Sequence, residues 1–152
     1  MLGGAKYSYE RYHQSKLANL LFTAALHDRL TAKEQRLPPL MRGGSSGVKA
    51  LACTPGVCGT DMFVHATSQM RGAAGRSSPV DLSRVPSVED GSLAQLKCIC
   101  DPSVKSGQLF GPQGMGGLPT EIPLAPPTIL VDRESKDGLW AACEKAVGVF
   151  SV

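Results

Sequence analysis

The residues best able to do chemistry lie near the start of the chain, where Tyr12-His-Gln-Ser-Lys16 sets a phenol and an ammonium four residues apart. On a helix, positions i and i+4 share a face one turn apart, so the two head groups would stand side by side. A cation that close favours the phenolate and makes the tyrosine a better acid/base near neutral pH. Two common residues at this spacing also occur on any solvated helix face, so the surroundings must carry the weight. The pair opens a strongly apolar run, and the next apolar run ends in Thr54-Pro55-Gly56-Val57-Cys58-Gly59-Thr60. In parallel α/β sheets, ligands collect at the carboxyl ends of strands. A glycine there permits close approach to backbone N–H and C=O groups. An ordinary strand-ending turn accounts for Pro55-Gly56 equally well.

The elements that would position these residues follow from periodicity. A helix is expected over about 10–33, with Leu17, Leu20, Leu21, Ala24 and Leu30 on one stripe and Ala18, Phe22, Ala25 and Leu26 on another. Apolar over most of its girth, it should be buried on both sides, between a sheet and a further layer such as a second subunit. Pro38-Pro39 stops it, and Gly43 to Gly47 reads as a flexible connector. Residues 48–54 read as a short, doubly covered strand of the parallel type. Residues 60–70 are weakly helical, and the Gly/Ser/Pro-rich stretch up to Pro86 looks mobile. Ser87 is a candidate N-cap for a helix over about 87–100, with Glu89 or Asp90 in its first turn and Gly91 as an awkward interior residue. A short strand is expected at 108–110 and an extended surface segment over 111–127. A last helix over about 135–147 is expected to be capped by Ser135, anchored by Trp140 and ended by Gly148.

Composition narrows the classes. The 152 residues suit one domain. Net charge is +3, with 16 basic and 13 acidic residues, and no basic run is interleaved with aromatics, so nothing argues for nucleic acid. The five cysteines make an odd count in no disulfide framework, and Cys98-x-Cys100 alone is no zinc site, so reduced thiols and no metal are expected. His13 and His27 read as surface positions and His65 as part of a covering loop. The longest apolar stretch is too short to span a bilayer and no signal peptide is visible, so the expectation is a soluble, cytoplasmic protein.

Taken together, Tyr12-His-Gln-Ser-Lys16-Leu-Ala-Asn19-Leu-Leu-Phe resembles the active-site helix of the short-chain dehydrogenases/reductases. The branch it looks most like holds the retinol dehydrogenases, the WW-domain-containing oxidoreductase and the protochlorophyllide reductases. Pro55-Gly-Val-Cys-Gly-Thr60 resembles that family's loop after the sixth strand. Asp101 to Gly107, with Gly111-Pro-Gln-Gly114, is similar to the segment around its last strand, and Leu139-Trp140 with Glu144-Lys145 to its terminal helix. The four stretches run in family order over nearly the whole chain. The resemblance implies that Tyr12 is the general acid/base and that Lys16 stabilises its phenolate and bonds the nicotinamide ribose. It implies that backbone at Pro55, Gly56 and Val57 faces the nicotinamide ring, and that Thr60 bonds the carboxamide or the diphosphate of NADP or NAD. The loop from Asp61 to Pro86 would then close as a lid over a small lipophilic alcohol or carbonyl substrate.

The family's glycine-rich phosphate turn, its ribose-reading residue, its Asn-Asn-Ala-Gly segment and its catalytic serine have no counterpart in these residues. Ser8 stands too near Tyr12 for the serine's role, and Gly114-Met-Gly116-Gly117 neither follows a core strand nor opens a helix. The expected fold is therefore α/β, the C-terminal part of a Rossmann-type doubly wound parallel sheet with its first strands missing. The enzymatic reading is an NAD(P)-dependent oxidoreductase fragment that is inactive alone. The alternative is a truncated, non-catalytic remnant that at most forms a homodimer through the first helix.

Overall fold

A computed structural model describes residues 8–41, 47–73, 83, 85–124 and 128–150. Helix α1 (Ser8–Arg36) runs 29 residues without a glycine or proline to interrupt it. It outlasts the expected 10–33 at both ends. Leu37 then turns the chain, its N–H donating to the Glu34 carbonyl at 3.1 Å, and a 3-10 turn follows at Pro39–Met41. The connector at 43–46 lies outside the described residues. Beyond it come β1 (Ala52–Cys53), α2 (Asp61–Ala73), α3 (Val88–Cys100), β2 (Leu109–Pro112), β3 (Pro119–Glu121), α4 (Thr128–Val131) and α5 (Arg133–Val147).

The chain forms two compact units. The first holds Met1–Ala52, Lys105–Gln108 and Leu124–Val152, and the second holds Cys53–Val104 and Leu109–Pro123. In the first unit α1 packs against α4 and α5. Its core is Leu21, Ala25, Ala50, Leu130 and Trp140. Phe22 stacks on Trp140 at 5.3 Å between centroids and 6° between planes, and Phe150 meets Trp140 at 4.7 Å. The Arg29 guanidinium lies 4.1 Å over the indole and donates to Asp137 at 3.0 Å. Burial of α1 on both sides is not what forms. Among the residues of α1 whose burial is described, only Leu21 and Ala25 are buried, and Leu17 keeps 36% of its surface exposed, because α4 and α5 cover one face.

In the second unit α3 packs on β2 and β3. Its core is Ala94, Val104, Leu109 and Phe110. The sheet has the order β1-β2-β3. Ala52 N–H donates to the Gln108 carbonyl at 3.0 Å and Thr54 N–H to that of Phe110 at 2.9 Å. Both partners advance by two together, so β1 and β2 are parallel. The strand expected over 48–54 is thus confined to Ala52–Cys53, with ladder bonds reaching Ala50 and Thr54. β3 pairs antiparallel to β2, Gly111 opposite Thr120. The expected extended segment after Phe110 is corrected here, since part of it is a hairpin arm. Glycine makes this possible, because a Cβ on Gly111 would sit 2.5 Å from Thr54 Cγ2 and 2.8 Å from Ile122 Cδ1.

Helix ends follow local chemistry. Ser87 Oγ accepts from Asp90 N–H at 3.0 Å and the Asp90 carboxylate accepts from Ser87 N–H at 3.2 Å, a reciprocal capping box. Gly91 is tolerated inside α3 for a packing reason, as its missing Cβ would lie 3.0 Å from Cys58 Sγ and 3.4 Å from Pro55 Cβ. The last helix is capped by Asp132, not Ser135. The Asp132 carboxylate accepts from Ser135 N–H at 2.8 Å, so the helix begins at Arg133. It ends at Gly148, at φ 93°, whose N–H donates to the Glu144 carbonyl at 2.8 Å.

Candidate active site

Tyr12 and Lys16 sit in the second and third turns of α1, where the helical repeat brings them to one face. The Lys16 Nζ lies 5.4 Å from the centroid of the Tyr12 ring, within cation–π range. Tyr12 also meets the His13 ring edge-on at 5.6 Å. Ser15 Oγ donates to the Tyr12 carbonyl at 2.7 Å, which fixes the local backbone. The phenol is 38% exposed, so solvent reaches it. The pair belongs to the first unit.

Pro55, Gly56, Val57 and Thr60 belong to the second unit. They follow the carboxyl end of β1, which is where α/β sheets place ligands. Gly56 has φ 70°, a conformation that favours glycine. The space beside its α-carbon is already used: a Cβ there would lie 2.6 Å from Pro112 Cγ and 3.5 Å from the Met115 carbonyl oxygen. Pro55 and Gly56 are exposed and Val57 is half-buried. Thr60 caps α2, its Oγ1 accepting from Phe63 N–H at 3.3 Å. The hydroxyl proton can still be given to an acceptor. Part of the expected lid, residues 74–82 and 84, lies outside the described residues.

A dinucleotide needs more than its nicotinamide end, because the pyrophosphate seeks open N–H groups at a helix N-terminus. Thr60 caps α2, Ser87 and Asp90 cap α3, and Asp132 caps α5. Two of these three caps carry a carboxylate, which repels phosphate. Among the described residues, the capped starts of α3 and α5 therefore offer a diphosphate no open, uncharged cradle.

Other features came only from the structure. His27, expected at the surface, is half-buried, with Nδ1 3.0 Å from Ser106 Oγ, which also accepts from Ala50 N–H at 3.0 Å. The partners lie 79 residues apart, so no local pattern announces them. A cleft of about 490 Å³ is lined by Asp28, Arg29, Ala32, Arg133, Lys136 and Asp137. It lies about 24 Å along α1 from Tyr12 at 1.5 Å per residue, away from the expected site. Its charges are paired, Arg29 and Arg133 with Asp137 and Lys136 with Asp28, so it reads as a staple between α1 and α5. The Cys98 thiol is pushed up from its ordinary pKa, first by burial and then by the Cys53 thiol, to which it is hydrogen-bonded. Among the described residues no group of three or more His, Cys, Asp or Glu is placed to hold a metal ion. None of their helices is long and apolar enough to cross a membrane.

Comparison of the chain with protein-family models, with curated proteins and with solved structures found no match in any of the three.

Proposed function

We propose that this chain carries the proton-transfer pair of a short-chain dehydrogenase/reductase-type oxidoreductase and does not act as an enzyme alone. The observation that carries this reading is the Lys16 ammonium held 5.4 Å over the Tyr12 ring, one turn away on α1. The parallel strand pair ending at Pro55-Gly56 supports it, as does the collinear order of the four sequence stretches. In that family a nicotinamide cofactor, NADP or NAD, supplies or accepts the hydride. This chain's own part is the proton: Tyr12 Oη would give it to a carbonyl oxygen or take it from an alcohol, with Lys16 stabilising the phenolate between turnovers. The substrate class is a lipophilic alcohol or the matching ketone or aldehyde. The odd cysteine count suits a reducing, cytoplasmic setting.

The test is complementation. The purified chain is mixed with an N-terminal half of a short-chain dehydrogenase bearing the glycine-rich turn, and NADPH oxidation is followed with lipophilic ketones. Restored turnover that falls at least ~100-fold in Tyr12→Phe supports the proposal. Turnover unaffected by Tyr12→Phe, or none with any such half, sinks it. The chain alone should show no heat of NADPH binding by calorimetry, and micromolar binding would overturn the account of the missing diphosphate site.

A second reading rests on α1. Leu17 and Tyr12 leave apolar surface uncovered on that helix, which suits a non-catalytic fragment that pairs with a second copy. Sedimentation velocity separates the two readings. A dimer dispersed by Leu17→Glu, with no complementation, favours the fragment.

A further inference from the structure

We propose that two copies of this chain join edge to edge along β1, making one continuous sheet with a two-fold axis at Ala52. The hydrogen bonds of β1 decide which of its backbone groups are already used. Ala52 and Thr54 donate to the Gln108 and Phe110 carbonyls at 3.0 and 2.9 Å. In a parallel pair the N–H and C=O of one residue point to the same side, and successive residues alternate. The backbone groups of Leu51 and Cys53 therefore point away from β2. The order β1-β2-β3 leaves β1 at the margin of the sheet. Among the described residues neither Leu51 nor Cys53 has a backbone partner there. A row of unpaired N–H and C=O groups is a template for another strand.

The opposite margin is closed. Ile122 N–H donates to the Leu109 carbonyl at 2.8 Å, and Thr120 lies opposite Gly111. By the same alternation, Pro119, Glu121 and Pro123 turn their backbones outward from β2. The two prolines have no N–H to give, and Glu121 adds an exposed charge between them. Strand addition is thus blocked at β3 and open at β1, so β1 is the margin that one copy can offer to another.

The occupant follows from the chemistry of that margin. An antiparallel pairing about Ala52 sets Leu51 opposite the partner's Cys53, and Cys53 opposite the partner's Leu51. Each such pair of open residues can exchange both of its N–H···O=C bonds. Residues 50–54 carry no charge and Lys49 falls opposite the partner's Pro55, so self-pairing brings no like charges together. Pro55 ends the ladder, having no N–H. The contact uses the open margin of both copies and leaves the two blocked β3 margins outermost, so assembly stops at two. It is separate from any pairing through α1 and does not rest on the oxidoreductase reading.

The full chain is followed by sedimentation velocity over a range of concentrations, with amide exchange read by NMR at both ends of that range. A concentration-dependent dimer is expected. In it the Leu51 and Cys53 amides should exchange at least ~10-fold more slowly than in the monomer, whereas those of Ala52 and Thr54, already bonded to β2, should change little. Leu51→Pro removes an outward N–H and leaves the ladder to β2 in place, so it should give a monomer with unchanged circular dichroism. Should that variant fail to fold, the exchange rates of the unmodified chain decide alone. Leu17→Glu, which alters α1, should leave the dimer intact. A chain that is monomeric at every concentration, or a dimer whose Leu51 and Cys53 amides exchange as in the monomer, overturns the proposal. So does a dimer that survives in folded Leu51→Pro, one that Leu17→Glu disperses, or assembly beyond two copies.

Discussion

Trp140 shows how one residue can hold a small unit together. Its ring is stacked by Phe22, met by Phe150 and covered by the Arg29 guanidinium, and it is 5% exposed. Removing it opens a cavity that these partners cannot refill without moving. Trp140→Ala should cost about 3–5 kcal/mol, read from the urea midpoint. Tyr12 is the contrast. It is 38% exposed, and its contact with Lys16 is worth roughly 0.5–1 kcal/mol. Tyr12→Phe keeps the ring and should leave stability within about 0.5 kcal/mol of the parent. A larger loss would mean that the hydroxyl has a structural partner, which would weaken its reading as a proton donor.

At the scale of elements, glycines on two helices separate propensity from packing. Gly138 lies in α5 with nothing within 4 Å of a built Cβ. Gly138→Ala should therefore stabilise by about 0.5–1 kcal/mol through helix propensity alone. Gly91 is also helical, but its Cβ would press on Cys58 Sγ, on Cys58 Cβ at 3.2 Å and on Pro55 Cβ. The sulfur can swing aside, whereas the Cys58 and Pro55 β-carbons are tied to the backbone. Gly91→Ala should be destabilising despite its better propensity, and equal urea midpoints for the two variants would refute this difference. The pair also marks what could be read from the sequence. The Ser87 cap and the Gly148 stop were legible, because capping is written within four residues. The reason for Gly91 was not, because it lies in a contact with residues more than thirty positions away. β3 was hidden in the same way: Pro119 and Leu118 look like loop chemistry until Gly111 gives the hairpin its partner. The Tyr12–Lys16 pair was legible as helical spacing, but Pro112 filling the space beside Gly56 was not.

Across the whole molecule, each unit contains a carboxylate whose native partners favour its charged form. Asp101 in the second unit is held well below the usual carboxylate range, first by the Lys97 ammonium at 2.8 Å and then by the Ser103 hydroxyl and N–H. Asp132 in the first unit is lowered by the Ser135 hydroxyl and N–H at the start of α5. A folded-state pKa below the unfolded value means that the unfolded chain binds more protons in acid. The stabilisation is fully present above the unfolded carboxylate value of about 4 and is lost as pH falls through and below it. The urea midpoint should therefore stay flat from pH 7 to about 5 and fall steadily below that. Asp101→Asn keeps the side-chain shape but gives up the ion pair with Lys97, so it should lower the midpoint at pH 7 and flatten the acid decline. Asp132→Asn retains a capping oxygen for Ser135 N–H, since asparagine caps helices as well as aspartate does. It should flatten the decline with little loss at pH 7. An acid limb unchanged in the double variant would show that other carboxylates govern acid stability and that neither pair contributes to it.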